Sequence, residues 1–164
     1  MGSNVINEKI QELYPEPHLP LEFDLLDNMN PVAGKTLGPL MQLIMPRVRR
    51  NVLCEPSKDW FKKDRERRFG APEEQYEKEK GGETAWKNAE PGQQQLSEWL
   101  KAQKQDDGPF ILGSTVTYPD FVLAGRCEFV ELIGEDTYER LVDPIDGMRE
   151  LHQACKPWLA RNDH

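Results

Sequence analysis

The four residues from Thr117 to Asp120 constrain the fold of this chain more than any others. A threonine at a helix N-cap and an acid three residues later form a capping box, in which each side chain accepts a hydrogen bond from the other residue's backbone N–H group. Pro119 fits the first helical turn, where the N–H that proline lacks would have no partner. Because residues 121–124 are apolar nearly all round, we predict that this helix is the buried central helix.

The residues that flank this box support the same prediction. Val116 and Phe121 occupy the two positions of a hydrophobic staple, which fixes the angle at which a chain enters a helix. Gly113, four residues before the cap, permits a tight turn. Asp120 also places a negative charge where the helix dipole favours one. We therefore predict structural roles in this turn for Gly113, Val116, Thr117, Asp120 and Phe121.

Elsewhere, apolar residues recur with the spacing of amphipathic helices, and no segment shows the sustained period-two alternation of strands. The predicted helices span residues 1–14, 31–54, 57–69, 73–80, 83–104, 118–133, 137–142 and 146–159. Ser3 and Ser57 are the predicted N-caps of the first and third helices. We expect Pro46 to bend the second helix and Pro91 to kink the fifth. The predicted fold class is all-α, a helical bundle.

The charge of the chain excludes some classes of partner. Asp and Glu number 29 against 21 Lys and Arg, which gives a net charge of -8 and a surface that repels phosphate backbones, so no nucleic acid is expected. The basic run at residues 62–68 is interrupted by acids and is predicted to be a solvated helix face. No apolar run approaches the roughly 20 residues that span a bilayer, and no signal peptide is recognised. We expect a cytoplasmic protein with no membrane partner.

The cysteines and histidines are widely scattered: Cys54, Cys127, Cys155, His18, His152 and His164. They complete no metal-ligand spacing, so no metal is expected. Cys127 and Cys155 fall on faces predicted to be buried, where a thiol stays protonated and inert. Arg49 and Arg50 could lower the pKa of Cys54, but no histidine lies nearby in the sequence to act as its base.

The capping box and the run Phe110–Gly113 before it resemble the N-capping box and staple of the glutathione S-transferase C-terminal domain, where this motif begins the central helix. Residues 133–141 and 154–159 resemble the last two helices of fungal members. Residues 60–70 resemble a segment of the subgroup that includes proteins of secondary-metabolite clusters and relatives of bacterial β-etherases. The resemblance covers nearly the whole chain and implies a bundle of the transferase C-terminal type over residues 31–164.

Residues 1–16 resemble the last helix of the family's thioredoxin-like domain, and residues 17–30, rich in proline, would then be the linker. In the family an acid and a serine open this helix and hold the γ-glutamyl end of glutathione. Ser3 matches the serine, while Gly2 replaces the acid and Met1 ends the match. An expression leader or an ordinary helix cap explains these first residues equally well. The resemblance implies glutathione as co-substrate, with Ser3 as the candidate contact.

The strands and the catalytic residue of the family lie upstream of this helix in relatives. We therefore expect a truncated chain that is inactive alone, whether a gene product, an excised domain or a natural isoform. By resemblance, the helical domain would line the pocket for the electrophile with Met41, Met45, Arg49 and Trp60. A methionine thioether adapts to varied apolar ligands, although methionines at helical spacing also suit a plain core.

The sequence patterns and the family resemblance leave two possible functions. The first is conjugation of glutathione to an electrophilic small molecule, or glutathione-dependent processing of a pathway intermediate, with the thioredoxin-like half supplied separately. The second is a non-catalytic helical module that forms a homodimer or binds a protein partner through the former domain interface, because large apolar patches rarely stay exposed.

Overall fold

The computed structural model describes residues 2–160, which form a helical bundle. Its helices are α1 (Ser3–Leu13), α2 (Phe23–Leu37), α3 (Met41–Asn51), α4 (Glu55–Phe69), α5 (Glu73–Tyr76), α6 (Gly82–Gln103), α7 (Tyr118–Ile133), α8 (Glu135–Val142) and α9 (Met148–Leu159). A 3-10 turn (Gly38–Leu40) joins α2 to α3, and a π turn (Glu77–Gly81) joins α5 to α6. Residues 2–160 contain no strand, so the all-α prediction is confirmed.

The helix α7 lies at the centre of the bundle, packed against α2, α3, α8 and α9. Its inward residues are fully buried: Leu123, Ala124, Cys127, Val130 and Ile133. On the other side of the core, α2 and α6 make the most extensive helix contact. Gly92 permits this close approach, since a Cβ atom there would lie 2.6 Å from the backbone carbonyl carbon of Lys35.

For the second predicted helix, both the predicted start and the predicted position of the interruption are wrong. α2 begins at Phe23, so residues 23–30 are helical although the sequence predicted an extended linker. Pro31, predicted to open the helix, lies inside it. The helix is interrupted at Gly38–Leu40, where Pro39 cannot donate a backbone hydrogen bond, whereas Pro46 lies within α3.

Both predicted serine caps are wrong. Gly2 is the N-cap of α1, and Cys54 is the N-cap of α4, which begins two residues before Ser57. The early start follows from Pro56, because proline is preorganised for a first helical turn. The acidic helix predicted at 73–80 is α5 followed by the π turn. The next helix continues through Pro91 without a break in its helical conformation.

The first helix contributes no residue to the core. Val5, Ile6, Ile10 and Leu13 of α1 are 46–62% exposed, and Tyr14 after it is 71% exposed. These residues form an apolar stripe, which we call the α1 stripe. Its assignment to a thioredoxin-like domain stays a prediction, as does the division of the chain into residues 1–16, 17–30 and 31–164. Met1 and residues 161–164, with His164, lie outside the described residues.

Within residues 2–160, no helix combines the length and the hydrophobicity that crossing a bilayer requires.

Candidate functional site

A buried carboxylate holds the start of α7. Asp120 is fully buried, and its Oδ2 atom accepts hydrogen bonds from the backbone N–H of Thr117 (2.8 Å) and from Thr117 Oγ1 (2.7 Å). Its Oδ1 atom accepts a third from the backbone N–H of Ile111 (2.7 Å). Burial raises the pKa of Asp120, and these hydrogen bonds oppose the rise because they stabilise the anion. The carboxylate therefore joins the preceding loop to the first turn of α7.

Aromatic rings pack beside this turn. The rings of Phe121 and Phe110 both meet Trp158 of α9 edge to face, with centroids 5.4 and 6.4 Å from that of the tryptophan. Val116 is half-buried, and its staple contact with Phe121 stays a prediction. The packing fixes α9 against the start of α7.

The turn before the cap depends on a glycine. Gly113 has a φ angle of +124°, and a Cβ atom there would collide with the carboxylate of Asp106. That carboxylate accepts hydrogen bonds from the backbone N–H of Gly108 (2.8 Å) and from Ser114 Oγ (2.9 Å). These bonds satisfy polar groups in the loop, and nothing in this arrangement supplies a reactive group. The hydrogen bonds of Asp106 and Asp120 together hold the loop against the start of α7.

Met41, a predicted pocket residue, does line an open pocket of about 280 Å³ between α3 and α6. The pocket lining is Gly38, Pro39, Met41, Gln42, Phe69, Lys80, Thr84 and Asn88. We call it the Met41 pocket. Its lining residues include the apolar Pro39, Met41 and Phe69 and the basic Lys80. This composition suits a small molecule with an apolar body and an anionic or polar substituent.

The other three predicted pocket residues do not line the Met41 pocket. Met45 is buried in the core, and Trp60 is 67% exposed on α4. Arg49 forms a bidentate ion pair with Glu73, with Nη2 2.6 Å from Oε1 and Nε 3.0 Å from Oε2. Glu73 is itself buried, so this guanidinium is committed to a structural partner. Sequence reasoning missed the pair because the two residues lie on different helices.

The basic run on α4 is only partly the solvated face that the sequence predicts. Lys63 and Arg67 are exposed, but Asp64 is buried. Its Oδ1 accepts a hydrogen bond from Arg67 (2.6 Å), and its Oδ2 forms an ion pair with Arg68 (2.8 Å). The hydrogen bond from Arg67 holds the pKa of Asp64 below its ordinary value. The Asp64 carboxylate therefore holds the guanidinium groups of two arginines on its own helix.

The all-helical arrangement agrees with a comparison of the chain with sequence-family models. Residues 30–158 match the model of the family described as glutathione S-transferase, C-terminal domain. The chain belongs to this glutathione S-transferase family. A comparison with curated proteins finds no match.

Fungal transferases share the fold of this family member. Glutathione transferase GSTFuA3 from Phanerochaete chrysosporium has a TM-score of 0.77 at 23% identity, and the match covers 95% of this chain and 64% of that one. A glutathione S-transferase of Ceriporiopsis subvermispora, solved in complex with glutathione, has a TM-score of 0.78 at 21% identity, with 99% and 67% covered. The resemblance to the fungal transferase C-terminal domain is confirmed.

The thiols of this transferase-family chain differ sharply in environment. Cys127 and Cys155 are fully buried, as the sequence predicts, and burial raises their pKa values to about 12 and about 11. Cys54 is exposed, and the Ser57 hydroxyl 3.5 Å from its Sγ lowers its pKa. Arg49 and Arg50, proposed from the sequence to act on Cys54, pair with glutamates instead.

We expect the native protein to react with one equivalent of a thiol reagent such as 5,5′-dithiobis(2-nitrobenzoate), at Cys54. The pKa of Cys54 is lowered, so its thiolate and hence its reaction rate should persist to lower pH than for an ordinary thiol. Absorbance at neutral pH, before and after adding denaturant, measures the stoichiometry. Cys54→Ser should abolish the native reaction, and any thiol that reacts rapidly in that folded variant would contradict the prediction.

One cluster contains side chains of the types that bind metals. Ligand atoms of Glu128 and Glu131 on α7 and of His152 on α9 all lie within 4.8 Å of one another. His152 is fully buried; its Nε2 lies 3.0 Å from Glu128 Oε2, and its Nδ1 lies 2.7 Å from the Tyr138 hydroxyl. Lys156 donates to both glutamates, 2.9 Å from Glu128 Oε2. This cluster could not be recognised from the sequence, because its residues lie on two helices that are far apart along the chain.

Proposed function

We propose that this chain is the helical part of a glutathione transferase-like enzyme, which conjugates glutathione to an electrophilic small molecule when a thioredoxin-like half is present. The observation that carries the proposal is the family match over residues 30–158. The fold shared with a transferase solved in complex with glutathione supports glutathione as the co-substrate. A secondary-metabolite intermediate is the proposed kind of electrophile, on the resemblance of residues 60–70 alone.

The α1 stripe supports the need for a second half. Five apolar side chains on or directly after α1 are 46–71% exposed, and a thioredoxin-like half would cover them. Ser3 lies exposed in the first turn of α1, where its hydroxyl and the helix N-terminus could meet the γ-glutamyl carboxylate. Because thiol activation belongs to the thioredoxin-like half in the family, residues 2–160 should have no conjugating activity alone.

The Met41 pocket is the proposed site for part of the electrophile. Met41 and Phe69 would contact its apolar body, and Lys80 would attract a negative charge on it or on the conjugate. Met45, Arg49 and Trp60 remain candidates only if the second half reshapes this region, since Arg49 is held by Glu73. Within the described residues, Met41 is therefore the most informative position to change.

The α1 stripe also fits the alternative function, a non-catalytic module. Two copies could cover their stripes by packing them together, which would make the chain a homodimer without any glutathione chemistry. A concentration-dependent dimer that Ile10→Glu abolishes would favour this function. The mutation sits on an exposed face, so it should leave the monomer folded.

The test compares the chain with a fusion that supplies the thioredoxin-like half of the Ceriporiopsis transferase ahead of Ser3. We expect the chain alone to pass through glutathione resin and to conjugate 1-chloro-2,4-dinitrobenzene at the uncatalysed rate. The fusion should be retained and should turn the electrophile over. The isolated helical part of the Ceriporiopsis transferase is the matched control.

Catalysed conjugation of 1-chloro-2,4-dinitrobenzene by the chain alone would contradict the prediction that it is inactive by itself. A folded fusion that neither binds glutathione nor turns over the electrophile would contradict the enzymatic function. In an active fusion, Met41→Ala should raise KM for an apolar electrophile with little change in kcat, because it removes uniform binding. An unchanged KM would exclude the Met41 pocket as the electrophile site.

A further inference from the structure

The cluster on α7 and α9 has the composition of a cation site. Glu128 and Glu131 are one turn apart on α7, and His152 reaches the same point from α9, each with a ligand atom within 4.8 Å of the others. The sequence prediction of no metal rested on chain spacing alone, and the fold brings these distant residues together. Two carboxylates and one imidazole are ligand types that Zn²⁺ accepts, and three protein ligands leave a coordination position for water.

A cation already occupies this point. The Lys156 ammonium bonds both carboxylates, lying 2.9 Å from Glu128 Oε2. One ammonium compensates only one of the two negative charges, whereas a divalent ion would compensate both. Lysine carries its charge on a flexible four-carbon stem, and the Lys156 side chain is 39% exposed, so the ammonium can move into water. Glu131, 40% exposed, gives an ion access from solvent.

The imidazole is oriented as a ligand. The ring of His152 is fully buried, and its Nδ1 is held by the Tyr138 hydroxyl at 2.7 Å. Metal-binding histidines are usually held in this way through their second nitrogen, which fixes the ring and the tautomer. In the metal-free chain Nε2–H donates to Glu128 Oε2, and Nδ1 accepts from the Tyr138 hydroxyl. Metal binding shifts the proton to Nδ1, which then donates to the Tyr138 oxygen, and the lone pair of Nε2 becomes the ligand.

We propose that Glu128, Glu131 and His152 form a site for a divalent transition-metal ion of the zinc type, which enters by displacing the ammonium of Lys156. Bound metal would link α7 directly to α9 and would release Lys156 to solvent. The site is independent of the glutathione chemistry proposed above, because it uses none of the residues assigned to that function.

The test is a Zn²⁺ titration in competition with a chromophoric chelator, on the whole chain carrying Cys54→Ser so that the exposed thiol does not bind metal. We expect one bound ion. Lys156→Met should tighten binding by at least about tenfold, because it removes the competing positive charge. Tyr138→Phe should weaken binding by roughly 10- to 100-fold, as loss of an outer-shell partner does.

Lys58→Met is the matched control. Lys58 pairs with Glu55 on α4, a helix that contributes no residue to the proposed site. The control variant should therefore leave the zinc affinity unchanged. Co²⁺ substitution should give weak visible bands without the intense thiolate absorption of a cysteine site. Circular dichroism checks that each variant is folded. If folded Lys156→Met binds Zn²⁺ no more tightly than a variant with Glu128→Gln and Glu131→Gln, the proposal is overturned.

Discussion

Replacing Asp120 by alanine is expected to lower the free energy of unfolding by about 3–5 kcal/mol. The change removes the acceptor of three hydrogen bonds and leaves the buried N–H groups of Ile111 and Thr117 without it. Each unsatisfied buried donor costs about 1–3 kcal/mol, and loss of the helix cap adds to this. Equilibrium unfolding in urea, followed by circular dichroism, measures the loss.

Two variants separate this effect from a simple change of charge. Asp120→Asn keeps one side-chain oxygen and should cost less than Asp120→Ala, because part of the hydrogen bonding survives. Asp107→Ala, at an exposed position in the same region, should change stability by less than about 0.5 kcal/mol. Equal costs for Asp120→Ala and Asp107→Ala would show that the carboxylate does not secure the start of α7.

Replacing Arg49 by alanine is expected to cost about 3 kcal/mol of stability. Glu73 is buried, and without the bidentate guanidinium the ion pair left to it among residues 2–160 is the one with Arg50, at 3.9 Å. Breaking a buried pair by removing one partner is expensive because the remaining charge stays out of water. The same urea titration measures the effect.

Arg50→Ala is the matched control for Arg49→Ala. Arg50 is the next residue of α3, but its partner Glu77 is 33% exposed and Arg50 itself 41% exposed. Ion pairs at such exposed positions contribute about 1 kcal/mol or less to the free energy of unfolding. Arg49→Ala costing no more than Arg50→Ala would contradict a structural role for Arg49 and would return it to the candidates for the electrophile pocket.

The sequence predicted those structural features that depend on a few neighbouring residues. The start of α7 follows from the chemistry of Thr117, Pro119 and Asp120, and the structure begins the helix at the next residue after Thr117. The start of α2 could not be found in this way, because Pro31 is a strong helix-start signal and yet lies in the helix interior. There, tertiary packing against α6 outweighs the cost of an internal proline.

The candidate sites were harder to predict than the helices because they are assembled from distant segments. Arg49 was assigned to a pocket from its position on a helix, and nothing near it in the sequence indicated that Glu73 would face it. Likewise, His152 carried no signal for a metal site until the fold brought α9 against α7. Periodicity identifies which face of a helix is buried, but it does not identify the side chain that the face will meet.

The direct backbone contact at Gly92 limits the shape of the Met41 pocket. The two crossing helices touch there without an intervening side chain, so no change of rotamer can spread them or draw them together. Asn88, one turn before Gly92, and Pro39, one turn after Lys35, both line the Met41 pocket. The width of this end of the Met41 pocket is therefore set by the main chain of the two helices.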